Sequence, residues 1–236
     1  TSSNKPSKPF YMKNRILVLF LLLVSITSQA QKKAWAYAAG LSGISILLYN
    51  DASKEAQKKY YDSNLSNFHT SADNILQYSP TLLNIGLHLA GLEDKSSKKE
   101  LLGKFIIGTG TYVVITQGLK YGINETRPDG TDHSFPSGHT TTAFFGARML
   151  DKAYGKKYPI IAIGGYALAS TTGALRMANN KHWASDIFMG AAIGIVSAEI
   201  ADWAYPKFKK AMNNSALEWE PIISPNFYAA RMSYTF

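Results

Sequence analysis

Three short clusters of histidine, carboxylate and cationic residues lie between Lys120 and Asp186, and the segments between them are largely apolar. In chain order the clusters are Lys120-Tyr-Gly-Ile-Asn-Glu-Thr-Arg127-Pro128, then Pro136-Ser137-Gly138-His139, then Arg176-Met-Ala-Asn-Asn-Lys-His182-Trp-Ala-Ser-Asp186. Polar groups that are joined by apolar helices are expected to meet at one place. Cations that bind tetrahedral anions, together with a histidine that can act as a nucleophile, predict a phosphate site with covalent chemistry.

The spacing of His182 and Asp186 suits a catalytic pair. Residues four apart share one face of a helix, and the sequence predicts that a helix starts here. A carboxylate in that position accepts the imidazole N–H, fixes the tautomer and leaves the other ring nitrogen as a base or nucleophile. The pattern His-x-x-x-Asp also arises by chance, and a helix cap or a surface pair is the alternative interpretation.

The tetrapeptide Pro136-Ser137-Gly138-His139 has the form of a helix start, because Ser137 is a natural N-cap and apolar residues at helical spacing follow it. Free backbone N–H groups and the positive end of the helix dipole favour an anion there. Gly138 allows the backbone to approach a ligand closely, and His139 is placed to act as a general acid. The alternative is a plain helix cap beside an exposed histidine.

Three cations complete the candidate site. Lys120 and Arg176 lie at the ends of apolar segments, and Arg127 follows Lys120 in a polar turn. Arginine offers a planar fork of donors and lysine a compact charge, a combination that suits a phosphate. Singly they would be ordinary surface charges, but all three fall within the region that holds both histidine motifs.

Together, the patterns Lys-x6-Arg-Pro, Pro-Ser-Gly-His and Arg-x5-His-x3-Asp resemble the type 2 phosphatidic acid phosphatase superfamily. That superfamily includes lipid phosphatases, bacterial class A acid phosphatases and vanadium haloperoxidases. The resemblance covers residues 101–205, about half of the chain. One departure is Leu175, since the family usually has serine before the arginine of the third motif.

The resemblance implies a role for each motif residue. His182 attacks phosphorus to form a phosphohistidine, Asp186 orients His182, and His139 protonates the leaving oxygen and then helps to activate water. The residues implied to hold the phosphoryl oxygens are Lys120, Arg127, Ser137, Gly138 and Arg176. The implied activity is that of a phosphatase that requires no metal or other cofactor, because cations of the protein stabilise the transferring group.

Six largely apolar segments predict the elements that position these residues. They are Ala34–Asn50, a stretch within Ala72–Leu92, Leu101–Leu119, Ser137–Leu150, Pro159–Leu175 and His182–Tyr205. None shows sustained alternation of apolar and polar residues, so the sequence predicts an all-α bundle of about six core helices. Ser79 and Pro80 predict a helix start, as N-cap and first helical residue. The lysine-rich stretch Asp51–Tyr61 predicts a surface helix or a loop.

The ends of the chain differ from this bundle and divide the chain into three parts. Residues 1–30 are predicted to hold an upstream extension and, from Met12, a signal peptide cleaved after Ala30, with an uncleaved membrane anchor as the alternative. Residues 31–212 form the predicted helical phosphatase domain. Residues 213–236 form a tail in which apolar residues alternate from Tyr228, which predicts a short edge strand or an ordered tail.

The composition of the chain restricts the chemistry, the partners and the location that are open to the protein. The chain has no cysteine, which excludes disulfides and cysteine nucleophiles, and its net charge of +9 is compatible with an anionic lipid, a phosphorylated substrate or a nucleic acid, with an ordinary basic surface as the alternative. The uncharged stretches run just short of the roughly 20 residues that span a bilayer. An envelope protein bound to the membrane, with its site facing the periplasm, and a soluble periplasmic protein therefore both stay open. A nucleic acid is not expected as a partner.

The leading hypothesis is a phosphatase that acts on a phosphomonoester or pyrophosphate of a lipid. Phosphatidate, an isoprenyl pyrophosphate and the lipid part of lipopolysaccharide are the candidate substrates. A soluble periplasmic acid phosphatase of broad specificity is the first alternative. A vanadium haloperoxidase and a non-catalytic membrane protein that keeps the site as a relic are two others.

Overall fold

The computed structural model describes residues 29–92, 96–213, 217–224 and 227–234, with side chains for residues 33–92 and 96–212. Eight α-helices lie in these ranges: α1 (Gln29–Leu48), α2 (Asp51–Asn64), α3 (Ala72–Leu76), α4 (Ser79–Leu89), α5 (Lys98–Ile123), α6 (Gly138–Leu150), α7 (Pro159–Ala178) and α8 (Ala184–Asn213). A π-helical turn, Asp151–Gly155, continues α6. The predicted extension and signal peptide lie, apart from their last two residues, outside the described ranges.

Helix α8 is the centre of the bundle, because α1, α5 and α6 all pack against it, while α7 packs on α6. Small and branched residues of α1 and α8 form one part of the core. Its buried members are Ala34, Trp35, Ala38, Ala192, Ile195 and Val196. A second part joins α6 to α7 through Ala143, Ala147 and Ala169. The prediction of an all-α bundle is confirmed.

Two glycines of α8 bring this helix very close to α6. A Cβ atom at Gly190 would lie 2.7 Å from the carbonyl oxygen of Ser137, and one at Gly194 would lie 2.6 Å from that of Thr141. Both contacts are to rigid backbone, so a larger residue at either position would push the helices apart. The close crossing holds the start of α6, which carries the second sequence motif, against the first turns of α8. Helix α8 begins within the third motif.

Short-range hydrogen bonds correct one predicted helix start in the first half of the chain and show which of two alternatives holds for another segment. The prediction that Ser79 is an N-cap is wrong, because Ser79 is already helical and its hydroxyl donates to the carbonyl of Leu76. Helix α4 follows α3 after only two residues, with Tyr78 in the N-cap position. The lysine-rich stretch after Asn50 is a helix, and the Asn50 side chain caps it by accepting from the Ser53 N–H at 3.0 Å.

The turn between α7 and α8 carries most of the third motif. Arg176 lies in the last turn of α7, and α8 begins two residues after His182, so the prediction that a helix begins at His182 is wrong. Asn180 adopts a left-handed conformation with φ of 57°, which ends α7 and turns the chain. The Asp186 carboxylate then accepts the N–H of Trp183 at 2.9 Å and stabilises the first turn of α8.

The tail forms a β-hairpin. Strand β1 (Leu217–Ser224) pairs in antiparallel register with β2 (Phe227–Tyr234), so the strand predicted from Tyr228 is confirmed. The first residues of β1, Leu217–Glu220, also alternate between apolar and acidic side chains, and Pro221 then weakens this strand signal.

Candidate active site

His182 and Asp186 form a buried hydrogen-bonded pair. The His182 Nδ1 atom lies 3.1 Å from Asp186 Oδ2, and the two side chains are 2% and 0% exposed. The same carboxylate oxygen accepts hydrogen bonds from the Ser134 hydroxyl and from the Trp183 N–H. Because Nδ1 is engaged, the lone pair that is available for attack on a substrate is that of Nε2.

Burial determines the protonation state of this histidine. The pKa of His182 is lowered to about 4, chiefly because burial disfavours the charged ring. Asp186 opposes this shift, and the charges of Arg176 and Lys120 add to it. The imidazole is therefore neutral at neutral pH, which is the state that a nitrogen nucleophile requires.

Helix α2 holds the backbone that immediately follows the His182 side chain. The Gln57 side chain donates from Nε2 to the His182 carbonyl at 2.9 Å and accepts the Ala184 N–H at 2.8 Å. The intervening Trp183 donates from Nε1 to the carbonyl of Thr126 at 2.8 Å. These three hydrogen bonds restrict the short segment that carries the histidine.

The start of α6 has the predicted geometry. Ser137 is the N-cap, and its buried hydroxyl accepts a hydrogen bond from the Thr140 N–H at 3.4 Å. The Ser137 N–H donates to the carbonyl of Asp186 at 3.1 Å, which joins the second motif to the third. The space beside Gly138 is open, so a ligand can approach the backbone there.

His139 lies in the first turn of α6 and is partly exposed, with its Nε2 atom 2.9 Å from Asn74 Oδ1. Burial lowers the pKa of His139 to about 4, the charge of Arg176 adds to the shift, and Asp73 opposes it. The ring is neutral in the free protein. An anion that binds beside it favours protonation, because a negative charge stabilises the imidazolium.

The Lys120 ammonium is held by the loop that leads to α6. Its Nζ atom donates to the carbonyl of His133 at 2.7 Å and to that of Ser134 at 3.3 Å. The pKa of Lys120 is lowered to about 8, first by burial and then by the charge of Arg127. At neutral pH most of the ammonium is still charged and can attract an anion.

Arg127 and Arg176 each have an N–H group that is available to a bound anion. Arg176 Nη1 lies 2.6 Å from Asp73 Oδ2 in a buried ion pair, and Asn179 Nδ2 donates to the other carboxylate oxygen at 3.2 Å. Arg176 Nε and Arg127 Nε are buried, and neither donates to any group in the part of the chain that the structure describes. Buried N–H groups are normally satisfied, so these two are available for the oxygens of an anion.

The structure brings the three predicted cations to the two histidines. Each cation lowers the pKa of His139, and two of them also lower that of His182. Such effects fall off with distance, so the charges lie around one site. The predicted residues that converge are Lys120, Arg127, Arg176, His139, His182 and Asp186, with Ser137 and Gly138 beside them at the start of α6.

Several residues that contact this site are not indicated by the sequence motifs: Gln57, Asp73, Asn74 and Ser134. Asp73 alone has a sequence signal, because it is the one Asp, Glu, Lys or Arg in the stretch Ala72–Leu92. Leu175 offers no hydroxyl beside Arg176. The serine hydroxyl that contacts the histidine pair comes instead from residue 134, in the loop before α6.

The sequence profile of the PAP2 superfamily matches residues 129–210. That range includes the second and third motifs, while Lys120 and Arg127 lie before it. The fold and the histidine pair define the class, and the chain belongs to the PAP2 superfamily, the type 2 phosphatidic acid phosphatases. The predicted family membership is confirmed.

A curated relative, the lipid A 1-phosphatase of Porphyromonas gingivalis, is 33% identical over 177 residues. The match covers 73% of this chain but 39% of that protein, so the chain spans well under half of this relative's length. The crystal structure of Aquifex aeolicus LpxE is 24% identical with a TM-score of 0.47, and the match covers 61% of this chain and 93% of that one. A transmembrane PAP2-type phosphatidylglycerolphosphate phosphatase from Bacillus subtilis is 20% identical with a TM-score of 0.44, with coverage of 85% and 99%.

Proposed function

We propose that this chain is a phosphatase that transfers the phosphoryl group of a phosphorylated lipid first to His182 and then to water. The observation that carries the proposal is the buried His182–Asp186 pair, together with the Nε–H groups of Arg176 and Arg127, which have no acceptor among the described residues. A neutral imidazole and available donors are what an attack on a phosphate requires. The reaction class is hydrolysis of a phosphoric monoester or of an acid anhydride.

In the first step, His182 Nε2 forms a bond to phosphorus as the bond from phosphorus to the leaving oxygen breaks. Asp186 holds the proton on Nδ1 and balances the positive charge that develops on the ring. His139 gives a proton to the leaving oxygen, so that the oxygen departs in a neutral or less charged form.

In the second step, water attacks the phosphorus of the phosphohistidine, and the bond between phosphorus and Nε2 breaks. His139, which lost its proton in the first step, accepts one from the attacking water. Both histidines return to their starting states, and the products are the dephosphorylated lipid and inorganic phosphate.

The phosphoryl oxygens are bound, in this proposal, by the cations Lys120, Arg127 and Arg176, with Ser137 and the Gly138 N–H at the start of α6. Fixed donors and charges stabilise the negative charge of the transferring group, which is usually the largest contribution to catalysis. The ion pair with Asp73 keeps Arg176 aligned while its Nε–H remains available. The proposal assigns no cofactor.

A membrane location fits the surface of the bundle. Large apolar side chains are between 67% and 76% exposed on several helices, including Leu47 on α1, Leu89 on α4, Val114 on α5 and Ile160 on α7. Exposed apolar surface, where it is continuous, is typical of sites that contact a membrane or a partner protein. Contact of these side chains with lipid would remove them from water, and it would bring a lipid substrate to the protein.

Helix α8 gives weaker support for a membrane location. Its segment Ala184–Met212 is, within the described residues, the one helix long and apolar enough to cross a membrane, but 72% of its apolar window is buried in the bundle. A core helix of a soluble protein has the same property. The buried Glu199 of this helix is paired with Arg148 and Lys152, so it does not place an unpaired charge in the core.

The name of the relative from Porphyromonas gingivalis supports a lipid as the substrate class, and it makes lipid A the first substrate to test. We place the chain in the cell envelope, associated with the membrane, with its site facing the periplasm. The signal-peptide pattern of residues 12–30 is the support for export.

A substrate panel on the purified chain tests the proposal. Phosphate release is measured in one detergent for lipid A, phosphatidate, an isoprenyl pyrophosphate and the water-soluble p-nitrophenyl phosphate. We expect kcat/KM for at least one lipid to exceed that for the soluble ester by about tenfold or more, because remote contacts with the lipid contribute binding energy. Equal or faster hydrolysis of the soluble ester would indicate a broad acid phosphatase instead. Halide oxidation that depends on vanadate and peroxide would indicate a haloperoxidase.

A further inference from the structure

One short helix, α3, contacts two residues of the proposed site. Asp73 binds Arg176, and the next residue, Asn74, places Oδ1 2.9 Å from His139 Nε2. We propose that Asn74 is a positioning residue that fixes the proton of His139 on Nε2 and thereby presents Nδ1 to the substrate. The kinetic part of this inference rests on the proposed function, whereas its structural part does not.

Hydrogen-bonding chemistry determines the direction of the proton. An amide oxygen accepts and does not donate, so the His139 nitrogen that faces Asn74 Oδ1 carries the hydrogen. In a neutral imidazole the other nitrogen, Nδ1, then holds the lone pair. Nδ1 is therefore the atom that takes a proton from water and, in the imidazolium, gives one to a leaving oxygen.

Each of the two histidines has one ring nitrogen bonded to a neighbouring side chain, although the His182–Asp186 pair is buried and Asn74 is exposed. Asp186 binds Nδ1 of His182 and leaves Nε2 for phosphorus, while Asn74 binds Nε2 of His139 and leaves Nδ1 for the proton. The chemistry of Asp186 suits a nucleophilic histidine, and that of Asn74 suits a histidine that transfers protons. A carboxylate stabilises the cation that forms on a nucleophilic ring, whereas a neutral amide orients a ring without holding it protonated.

Helix α3 is anchored well enough to orient a side chain. Asp73 is buried in its ion pair and also accepts from Asn179 Nδ2. Asn179 accepts the Thr70 N–H at 3.0 Å and donates to the Thr70 carbonyl at 2.8 Å, which fixes the segment that leads into α3. The Asn74 carbonyl accepts from Gln77 Nε2 at 3.0 Å. Both sides of the Asn74 backbone are therefore restrained.

The charged groups that act on His139 come from four parts of the fold. They are Asp73 on α3, Lys120 on α5, Arg127 in the loop that follows, and Arg176 on α7. Three cations against one carboxylate favour the neutral ring, and Asn74 adds no charge of its own. A carboxylate at position 74 would therefore raise the pKa of His139.

The kinetic test compares Asn74→Ala and Asn74→Asp with the control Asn64→Ala, an exposed residue of α2 whose side chain donates to the Tyr60 carbonyl. We expect Asn74→Ala to lower kcat for an alkyl phosphate about tenfold, which is part of the ~10²–10⁴-fold that a general acid contributes. The loss on p-nitrophenyl phosphate should be much smaller, because p-nitrophenolate leaves without protonation. Asn64→Ala should match the wild type.

The Asn74→Asp variant allows a measurement, the pH dependence of kcat/KM, that would not change if Asn74 had only a structural role. Aspartate keeps an oxygen acceptor for Nε2–H, so activity on the alkyl phosphate should be largely retained. The basic limb of kcat/KM should move to higher pH by about one unit, because the carboxylate favours the protonated ring. Equal losses of Asn74→Ala on both substrates, or an unshifted limb in Asn74→Asp, would overturn the inference.

A second measurement requires no phosphatase activity. Nitrogen-15 NMR of the labelled histidine rings, with His139 assigned from a His139→Gln variant, reports the tautomer directly. We expect the proton on Nε2 in the wild type and a mixture of tautomers in Asn74→Ala. A proton on Nδ1 in the wild type, or an unchanged tautomer in the variant, would refute the role of Asn74. If the expected tautomers were found in a protein that hydrolysed none of the panel, the proposed function would fail and the orientation of His139 by Asn74 would stand.

Discussion

Replacement of His182 by alanine is expected to abolish phosphate release, with a loss in kcat of about 10⁴-fold or more. Nε2 of this residue is the atom proposed to bond phosphorus. The measurement is phosphate release at neutral pH from the best lipid of the panel and from p-nitrophenyl phosphate.

The control for this variant is His69→Ala, because His69 is exposed and has no place in the site. Circular dichroism spectra and melting temperatures in the same detergent establish that both variants are folded. A folded His182→Ala protein that kept more than about a tenth of the wild-type kcat would exclude covalent catalysis through this residue.

The second large effect is expected for Arg176→Met, which removes both a proposed phosphate ligand and the partner of Asp73. Loss of a fixed donor to the transferring group should lower kcat/KM by about 10²–10³-fold. Asp73 would remain buried without its counter-charge, which should reduce the free energy of unfolding by about 3–5 kcal/mol. Chemical denaturation in a fixed detergent measures the second quantity.

The double variant Asp73→Asn/Arg176→Met separates the two roles of the arginine. Removing the uncompensated carboxylate should restore most of the stability, because a neutral amide costs less to bury and Asn179 remains as a partner. Activity should stay low, since the donor to the phosphate is still missing. If activity returned together with stability, Arg176 would be a structural partner of Asp73 rather than a substrate ligand.

The local features of the site follow from the sequence because they depend on neighbours along the chain. Ser137 before a run of apolar residues predicts the cap of α6, and that cap is present. The contact between His182 and Asp186 is also present, but the predicted helical geometry is wrong. Asn180 turns the chain first, and Asp186 reaches back from α8 to a residue that precedes the helix. A four-residue spacing permits both geometries.

Contacts between distant segments do not follow from the sequence. Gln57 lies 125 residues from His182, and Asp73 lies 103 residues from Arg176. An apolar pattern predicts that helices pack but not the register in which they meet. Helix α2 has the composition of a solvated helix, so nothing in its pattern indicates that one glutamine binds the backbone beside His182. The single charge of Asp73 in an otherwise uncharged stretch indicates a buried ion pair. The sequence does not identify the residue with which Asp73 pairs.

Trapping of the covalent intermediate tests the central claim most directly. The purified chain is mixed briefly with a substrate labelled with phosphorus-32, quenched in base and digested, and the labelled peptide is identified by mass spectrometry. The account predicts an acid-labile, base-stable label on His182 that is absent from His182→Ala. It also predicts that the label persists longer in His139→Gln, because water is activated more slowly. Turnover of the substrate with no label on His182, or with the label on another residue such as His139, would contradict it.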